Sequence, residues 1–368
     1  MKTLTGVFLF LLLAIPNVVF AQEAFEETTF RARVVSVESF GERSIPETRL
    51  SESFQRLTVV LIEGVRKGEM HEVENTTSLA FKEGSIMYVH RIDTEQGGEL
   101  WSAGEPDRRD VLTILTVVFV LVTVLVAGFA GVRAIISLVG SLFAVIFGLL
   151  PLLSLGAPPA LTCVLFAVGL LVFSMLVTHK VNKPTLVALL ASAIALVIGA
   201  GIAEIAVEAG NLSGFSSDEA SALYFATGGA LSLSGLLLGG ILIGVVGVLN
   251  DVSVSQVHTV VEIVSANPKL SRKEVWKKAM RVGREHVGAV VNTLPLAYAG
   301  AALPLLLLFA GSTAPILFIL SREVFSAEII RILSGGIALS LSGAIATFCA
   351  VWFLVPGKGA HDILTPHH

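Results

Sequence analysis

The sequence predicts an all-α polytopic membrane bundle of about seven transmembrane helices, preceded by a small N-terminal extracytoplasmic β domain. Three observations carry that prediction. Of 368 residues, 54% are hydrophobic and 15% charged, whereas a soluble domain is about a quarter charged. Apolar runs, each able to cross about 30 Å of hydrocarbon, recur from residue 111 to residue 355. The segment ahead of them, Thr28 to Gly104, instead alternates apolar and polar residues between glycine turns.

The chain opens with a secretory signal. Lys2 supplies the basic start, Leu4 to Ile15 the apolar core, and Val19-Phe20-Ala21 a small-residue cleavage site at the end of residues 1–21. A retained anchor is the alternative, and both deliver the following segment outside. In that segment Phe30–Val37, Leu57–Ile62, His71–Asn75 and Ile86–Ile92 read as strands, punctuated by Gly64, Gly68, Gly84 and Gly97-Gly98. Four or five short strands predict an OB-like barrel or a sandwich over residues 28–104. It holds no catalytic constellation. It reads as a folded extracytoplasmic cap, with a ligand-binding role as the alternative; a partner protein could contact it.

The spans are expected at 111–130, 132–152, 160–178, 184–206, 235–262, 286–310 and 328–355, leaving 356–368 as a cytoplasmic tail. Basic connections (Arg133; His179, Lys180 and Lys183; Lys269 to Arg284) alternate with connections that carry the acidic Glu208, Asp218 and Glu219. The positive-inside rule then puts the β domain outside and the C-terminus inside a bacterial cytoplasmic membrane. Ala220–Gly235 is too short to span and reads as a re-entrant or external half-helix. Leu270–His286 reads as a basic surface helix: Ser271 and Glu274 form a capping box, and Lys273, Lys277, Lys278 and Arg281 suit an anionic leaflet. Ala-Leu-Ser-Leu-Ser-Gly occurs at both 230–235 and 338–343, by coincidence or as the trace of a duplication.

The chemistry-bearing residues cluster late in the chain. After the apolar run Leu236–Leu249, helical steps of four, three and four place Asp251, Ser255, His258 and Glu262 on one face. A carboxylate inside hydrocarbon costs roughly 2.5–3.5 kcal/mol, so such a group faces protein or water and marks function. Asn250 adjoins it. The next span opens on Arg284-Glu285-His286 and carries Asn292-Thr293, with Pro295 and Pro304 interrupting its hydrogen-bond ladder. The last begins with Glu328 and Arg331, three residues apart. One reading makes Asp251, Asn292 and Thr293, with Asn250 and Ser255, an ion or solute pocket. His258 and Glu262 then continue it inward as a proton path, with Arg284, Glu328 and Arg331 as gating groups. The other pairs Asp251 with Arg284 or another cation to fix helix packing, leaves Glu262 and Arg284 at the interface, and makes Glu328–Arg331 a stabilising pair.

Enzymatic readings lack their parts. There is no His-Glu-x-x-His for zinc, no second membrane aspartate for an acid dyad, and no P-loop. The two cysteines, Cys163 and Cys349, lie in apolar runs and suggest neither disulfide nor metal site. No cofactor motif is present. The net charge of −4 does not suggest nucleic acid.

Several blocks resemble the YibE/F-like family of bacterial multi-pass membrane proteins. They are Gly239 to Ser255, Asn267-Pro-Lys-Leu-Ser271, Gly283 to Leu294 and Glu328-Ile-Ile-Arg331, with Gly131-Val-Arg-Ala134 and Glu63 to Gly68 upstream. The resemblance covers nearly the whole mature chain. It implies that Asp251, Arg284, Asn292, Thr293, Glu328 and Arg331 are the signature polar positions; His286 and Asn250 depart from the family's usual apolar residues. It names no substrate. The expectation is a non-enzymatic permease or ion-coupled transporter for a small solute or ion. The alternative is a membrane scaffold or signalling module that acts through its outer domain and a partner protein.

Overall fold

The computed structural model describes residues 28–44, 51–75, 79–93 and 98–356. The signal-peptide reading, and the tail reading beyond residue 356, lie outside the described residues. The chain forms two compact units, divided between Val126 and Ala127.

The first unit is a closed five-stranded barrel: β1 (Thr28–Ser44), β2 (Ser51–Leu61), β3 (Met70–Asn75), β4 (Ile86–Asp93) and β5 (Glu99–Pro106). The strand order is β1-β2-β3-β5-β4, with β3 and β5 parallel. Of the two expected architectures this is the barrel, in an OB-like Greek-key order. β1 closes it by pairing on both edges, so that Ala32 faces Leu61 of β2 on one side and Met87 of β4 on the other. The alternation read from the sequence is the core itself: Ala32, Val34, Leu57, Val59, Met87 and Val89 fill the interior. Ion pairs gird one side. Arg31 reaches Asp107 at 2.6 Å and Glu63 at 2.7 Å, and the Asp107 side chain is 2% exposed. The backbone N–H and guanidinium of Arg109, with Arg31, hold the Asp107 carboxyl down to about 2. At Trp101, the His71 ring stacks 3.9 Å away and the Arg66 guanidinium lies 5.4 Å from the ring centroid.

Helix α1 (Arg109–Ala144) begins in this unit and continues in the next through a π turn, Val145–Leu149, to Ser154. Gly128 interrupts it with φ 57° and ψ −135°, torsions that a side chain resists. Two separate spans were expected at 111–130 and 132–152. The structure has one hydrogen-bonded stretch of 46 residues with its break at Gly128.

The second unit is a bundle around α5 (Leu233–Ala266). The others are α2 (Pro159–Thr178), α3 (Lys183–Ala209), α4 (Asp218–Ala226), α6 (Arg272–Val290), α7 (Thr293–Ala301), α8 (Leu303–Ala310), α9 (Ile316–Ser321) and α10 (Glu323–Leu354). Small residues set the seams. Pro159 meets Gly235 and Cys163 meets Gly239, so α2 runs parallel to α5. Gly335 meets Val245 and Gly343 meets Val252, so α10 is parallel to α5 as well. Gln256 contacts Gly283 and donates to the Ala279 carbonyl, whereas Val252 and Val287 share Gly343, so α6 is antiparallel. Two buried polar links tie these helices: Ser253 to Ser342 at 3.2 Å, and the Gln256 amide to Thr347 Oγ1 at 2.7 Å.

Five helices are long and apolar enough to cross a membrane among the described residues: Arg109–Ser154, Pro159–Thr178, Lys183–Ala209, Leu233–Ala266 and Glu323–Leu354. Arg272–Ala301 and Leu303–Ala310 form a bent pair that turns by 69° at the break, a geometry that fits either one broken span or a re-entrant loop. The span expected at 286–310 is therefore broken, and it starts earlier. The expected surface helix at Leu270–His286 has its Ser271–Glu274 capping box but forms the first part of that pair, with Val275, Ala279 and Gly283 buried. The half-helix expected at Ala220–Gly235 divides into α4, a turn at Gly228-Gly229 with positive φ, and the first turn of α5. One copy of Ala-Leu-Ser-Leu-Ser-Gly caps α5 and the other lies inside α10, so the two hold different structural places.

Candidate functional site

α5 carries the site. Its apolar positions are taken up by α2, α3, α6 and α10. The face left exposed runs Gly240, Gly244, Gly247, Asp251, Ser255, His258 and Glu262. The helical spacing read from the sequence therefore puts the four polar residues on one face, as expected. Glycines floor the first half of this stripe and polar side chains the second. The Tyr298 hydroxyl of α7 hangs over Gly244, where a methyl group would come within 2.7 Å of it.

Asp251, Ser255, His258 and Glu262 make no side-chain hydrogen bond or ion pair among the described residues. Their neighbour Asn250 turns the other way: it is 7% exposed, and its Oδ1 has no partner. An unsatisfied amide oxygen of this kind costs about 1–3 kcal/mol, which flags the position as more than packing.

Sequence reasoning missed His179. Carrying the register of Pro159 with Gly235 and Cys163 with Gly239 down the parallel pair places His179, at the end of α2, opposite Ser255. That is one turn from Asp251 and one from His258. Met175 of α2 and Val257 of α5 belong to one buried cluster at this end of the bundle. Burial pushes His179 below the ordinary histidine range; the charge of His258 adds to this, and the Asp251 carboxylate pulls it back. Asp251 in turn has His179 as its charged neighbour. The signal in the sequence was present but disguised, because His179-Lys180 reads as one more basic loop.

The other nominated residues distribute along the bundle. Asn292 stands at the break between α6 and α7, and Thr293 donates to the Val290 carbonyl at 2.6 Å. Both are exposed. Val287 packs at the level of Val252 and Leu294 beside Gly335 near Val245, so the break lies within about two turns of Asp251 along the axis. No hydrogen bond joins Asp251 to Asn292 or Thr293 among the described residues. Arg284 is exposed without an ion pair among them, so the expected Asp251–Arg284 packing pair does not form. Glu328 and Arg331 do pair, at 2.9 Å, and Arg331 lies 5.6 Å from the Tyr298 ring centroid. The register of α10 on α5 sets this pair about 15 Å from Asp251 along the axis. It belongs to the glycine half of the stripe. The cleft between α3, α5 and α10, lined by Leu196, Gly199, Val245 and Ser334, is apolar and too narrow for a water molecule. Among the described residues no three His, Cys, Asp or Glu side chains converge as metal ligands.

The sequence profile of one family, described as YibE/F-like protein, matches residues 115–356. No curated protein and no solved structure matches the chain.

Proposed function

The chain belongs to the YibE/F-like family, and from that premise we propose that it is a permease or ion-coupled transporter of the bacterial cytoplasmic membrane. Its polar site lies around Asp251, with Asn250, Ser255, Asn292 and Thr293 about it. The observation that carries this reading is an unpaired carboxylate on the exposed face of an apolar helix, beside a helix that is broken. A charge on a span is retained where it faces water or a substrate path. Discontinuous helices are how many transporters build their sites.

The topology follows the same reading. A straight helix of 46 residues would be about 69 Å long, more than twice the hydrocarbon thickness. On this reading the break at Gly128 would divide it into two crossings, and with the bent pair taken as one the proposed topology has seven. Basic connections then lie inside and the barrel outside. Lipid covers the wide apolar surface of the outer helices, where Leu125, Val126 and Phe129 are exposed.

The test is thermal stability of the purified protein against ions, metals and small metabolites, beside Asp251→Asn. A ligand at 100 times its Kd stabilises by about 2.7 kcal/mol. A shift in the wild type that the variant lacks names the ligand class and its site. Equal behaviour of the two proteins toward every ligand sinks the transport reading. The rival is a scaffold or signalling module with a partner protein at the barrel. It draws support from Val65, Met70 and Leu100, apolar side chains exposed on the barrel at 104%, 64% and 57%. Under that rival, deleting Thr28–Gly104 abolishes function and Asp251→Asn preserves it.

A further inference from the structure

We propose that the ion handled by this site is the proton, and that His179 of the neighbouring helix shares it with Asp251. The inference takes its purpose from the transport reading, but its test does not depend on that reading.

Three features of the geometry point to it. Extended along the parallel pair, the register of Pro159 with Gly235 and Cys163 with Gly239 brings the end of α2 at His179 to the level of Ser255, between Asp251 and His258. None of the three titratable side chains is committed to a hydrogen bond or an ion pair among the described residues. They also do not converge as metal ligands. Titratable groups that feel one another's charge take up protons as a coupled set rather than one by one.

Other charged and titratable groups lie on the elements around this pair. Arg133 of α1 is turned onto the Phe129 ring, 5.0 Å from its centroid. Lys180 is exposed beside His179 and Lys183 lies at the first turn of α3; on α6 Arg284 and Glu285 are exposed and His286, next to Val287, is half-buried. α10 offers Ser342 and Thr347 at this level, which do not titrate, and the buried thiol of Cys349 level with His258. The fields acting on His179 are those of His258 and Asp251, and the field acting on Asp251 is that of His179.

The step balances simply. With imidazole neutral and carboxylate ionised, the pair carries one negative charge. One proton taken up gives imidazolium with carboxylate, or imidazole with carboxylic acid, and either form is neutral as a whole. A neutral pair is the cheaper species to carry in a low dielectric. Ser255, His258 and Glu262 continue along the same face toward the end of α5, offering the proton an exit.

The test reads the protonation of Asp251 directly. A membrane-permeant carbodiimide adds to protonated carboxyl groups, and peptide mass spectrometry of the full-length protein in nanodiscs follows labelling of Asp251 as pH is varied. A cation beside a carboxylate lowers its proton affinity, so in His179→Gln the labelling midpoint should rise by about one pH unit or more. His179→Lys keeps a cation and should hold the midpoint at or below the wild-type position. A His179→Gln profile that superimposes on wild type overturns the proposal, as does an Asp251 that remains unlabelled at every pH. If Asp251→Asn abolishes solute flux while the His179→Gln profile is unchanged, transport stands and proton sharing falls. A shifted profile in a protein that moves no solute preserves proton sharing and removes the transport reading.

Discussion

The side-chain amide of Gln256 on α5 donates to Thr347 Oγ1 on α10 at 2.7 Å and to the Ala279 carbonyl of α6 at 2.9 Å. One side chain thus ties three helices at one level, with Gln256 2% exposed and Thr347 fully buried. Gln256→Leu should cost about 1–3 kcal/mol, because the Ala279 carbonyl and Thr347 each lose a donor in a buried setting. Thr347→Val should cost less, since Gln256 keeps its bond to Ala279. Unfolding free energies of the two single variants and the double variant should be non-additive. Strict additivity would mean that the bond contributes nothing to holding the helices.

The seam of α2 and α5 tests a different kind of contact. A Cβ on Gly239 would overlap Cys163, whereas one on the adjacent Gly240 would meet open space. Gly239→Val should therefore destabilise by about 1–3 kcal/mol through overpacking. Gly240→Ala should be neutral or stabilise by about 0.5–1 kcal/mol, as replacing glycine inside a helix does. Thermal unfolding of the two variants in one detergent gives the comparison. Equal shifts would show that the seam has room to spare.

The barrel should respond to acid through Asp107. Its folded value of about 2 lies below the ordinary 3.8 because the Arg109 N–H and the guanidinium groups of Arg109 and Arg31 favour the carboxylate. A depressed carboxyl stabilises the fold above its ordinary value, and the contribution is lost as pH falls from there through the folded value. Hydrogen exchange of β1 and β4 amides should accordingly hold steady from neutral pH to about 4 and accelerate below it, beyond the intrinsic pH trend. Asp107→Asn should raise exchange at neutral pH and flatten the acid response. A variant with wild-type protection throughout would remove Asp107 from the account of the barrel.

Much of this architecture was legible because periodicity reports burial. Alternation at Ala32, Val34, Leu57 and Val59 marked the barrel, and the apolar runs marked α2, α3, α5 and α10 within a few residues of their ends. What escaped was whatever depends on two helices meeting. His179 reads as loop chemistry until the glycine seam of Gly235 and Gly239 fixes the register of α2 on α5. Gln256 sits in the same polar string as Asp251, yet it turns inward to Thr347, and only the positions of α6 and α10 decide that. The expected spans leave an interruption between residues 130 and 132, but that Gly128 is the residue that carries it was not legible, for a related reason. Glycine is common in this chain, and its sequence does not distinguish one that closes a seam from one that bends the backbone.

The cysteines, silent as chemistry, make the bundle its own instrument. Cys163 lies beneath Gly239 and Cys349 near the other end of α10, 1% and 5% exposed. The parallel register of α10 on α5 separates them by about 30 Å along the axis. Each thiol is therefore sealed in a different helix contact, Cys163 between α2 and α5 and Cys349 on α10 toward the far end, with no engineered label required. A polar maleimide would modify Cys163 when one end gapes and Cys349 when the other does, and the order in which the two masses appear would record which way the helices rock.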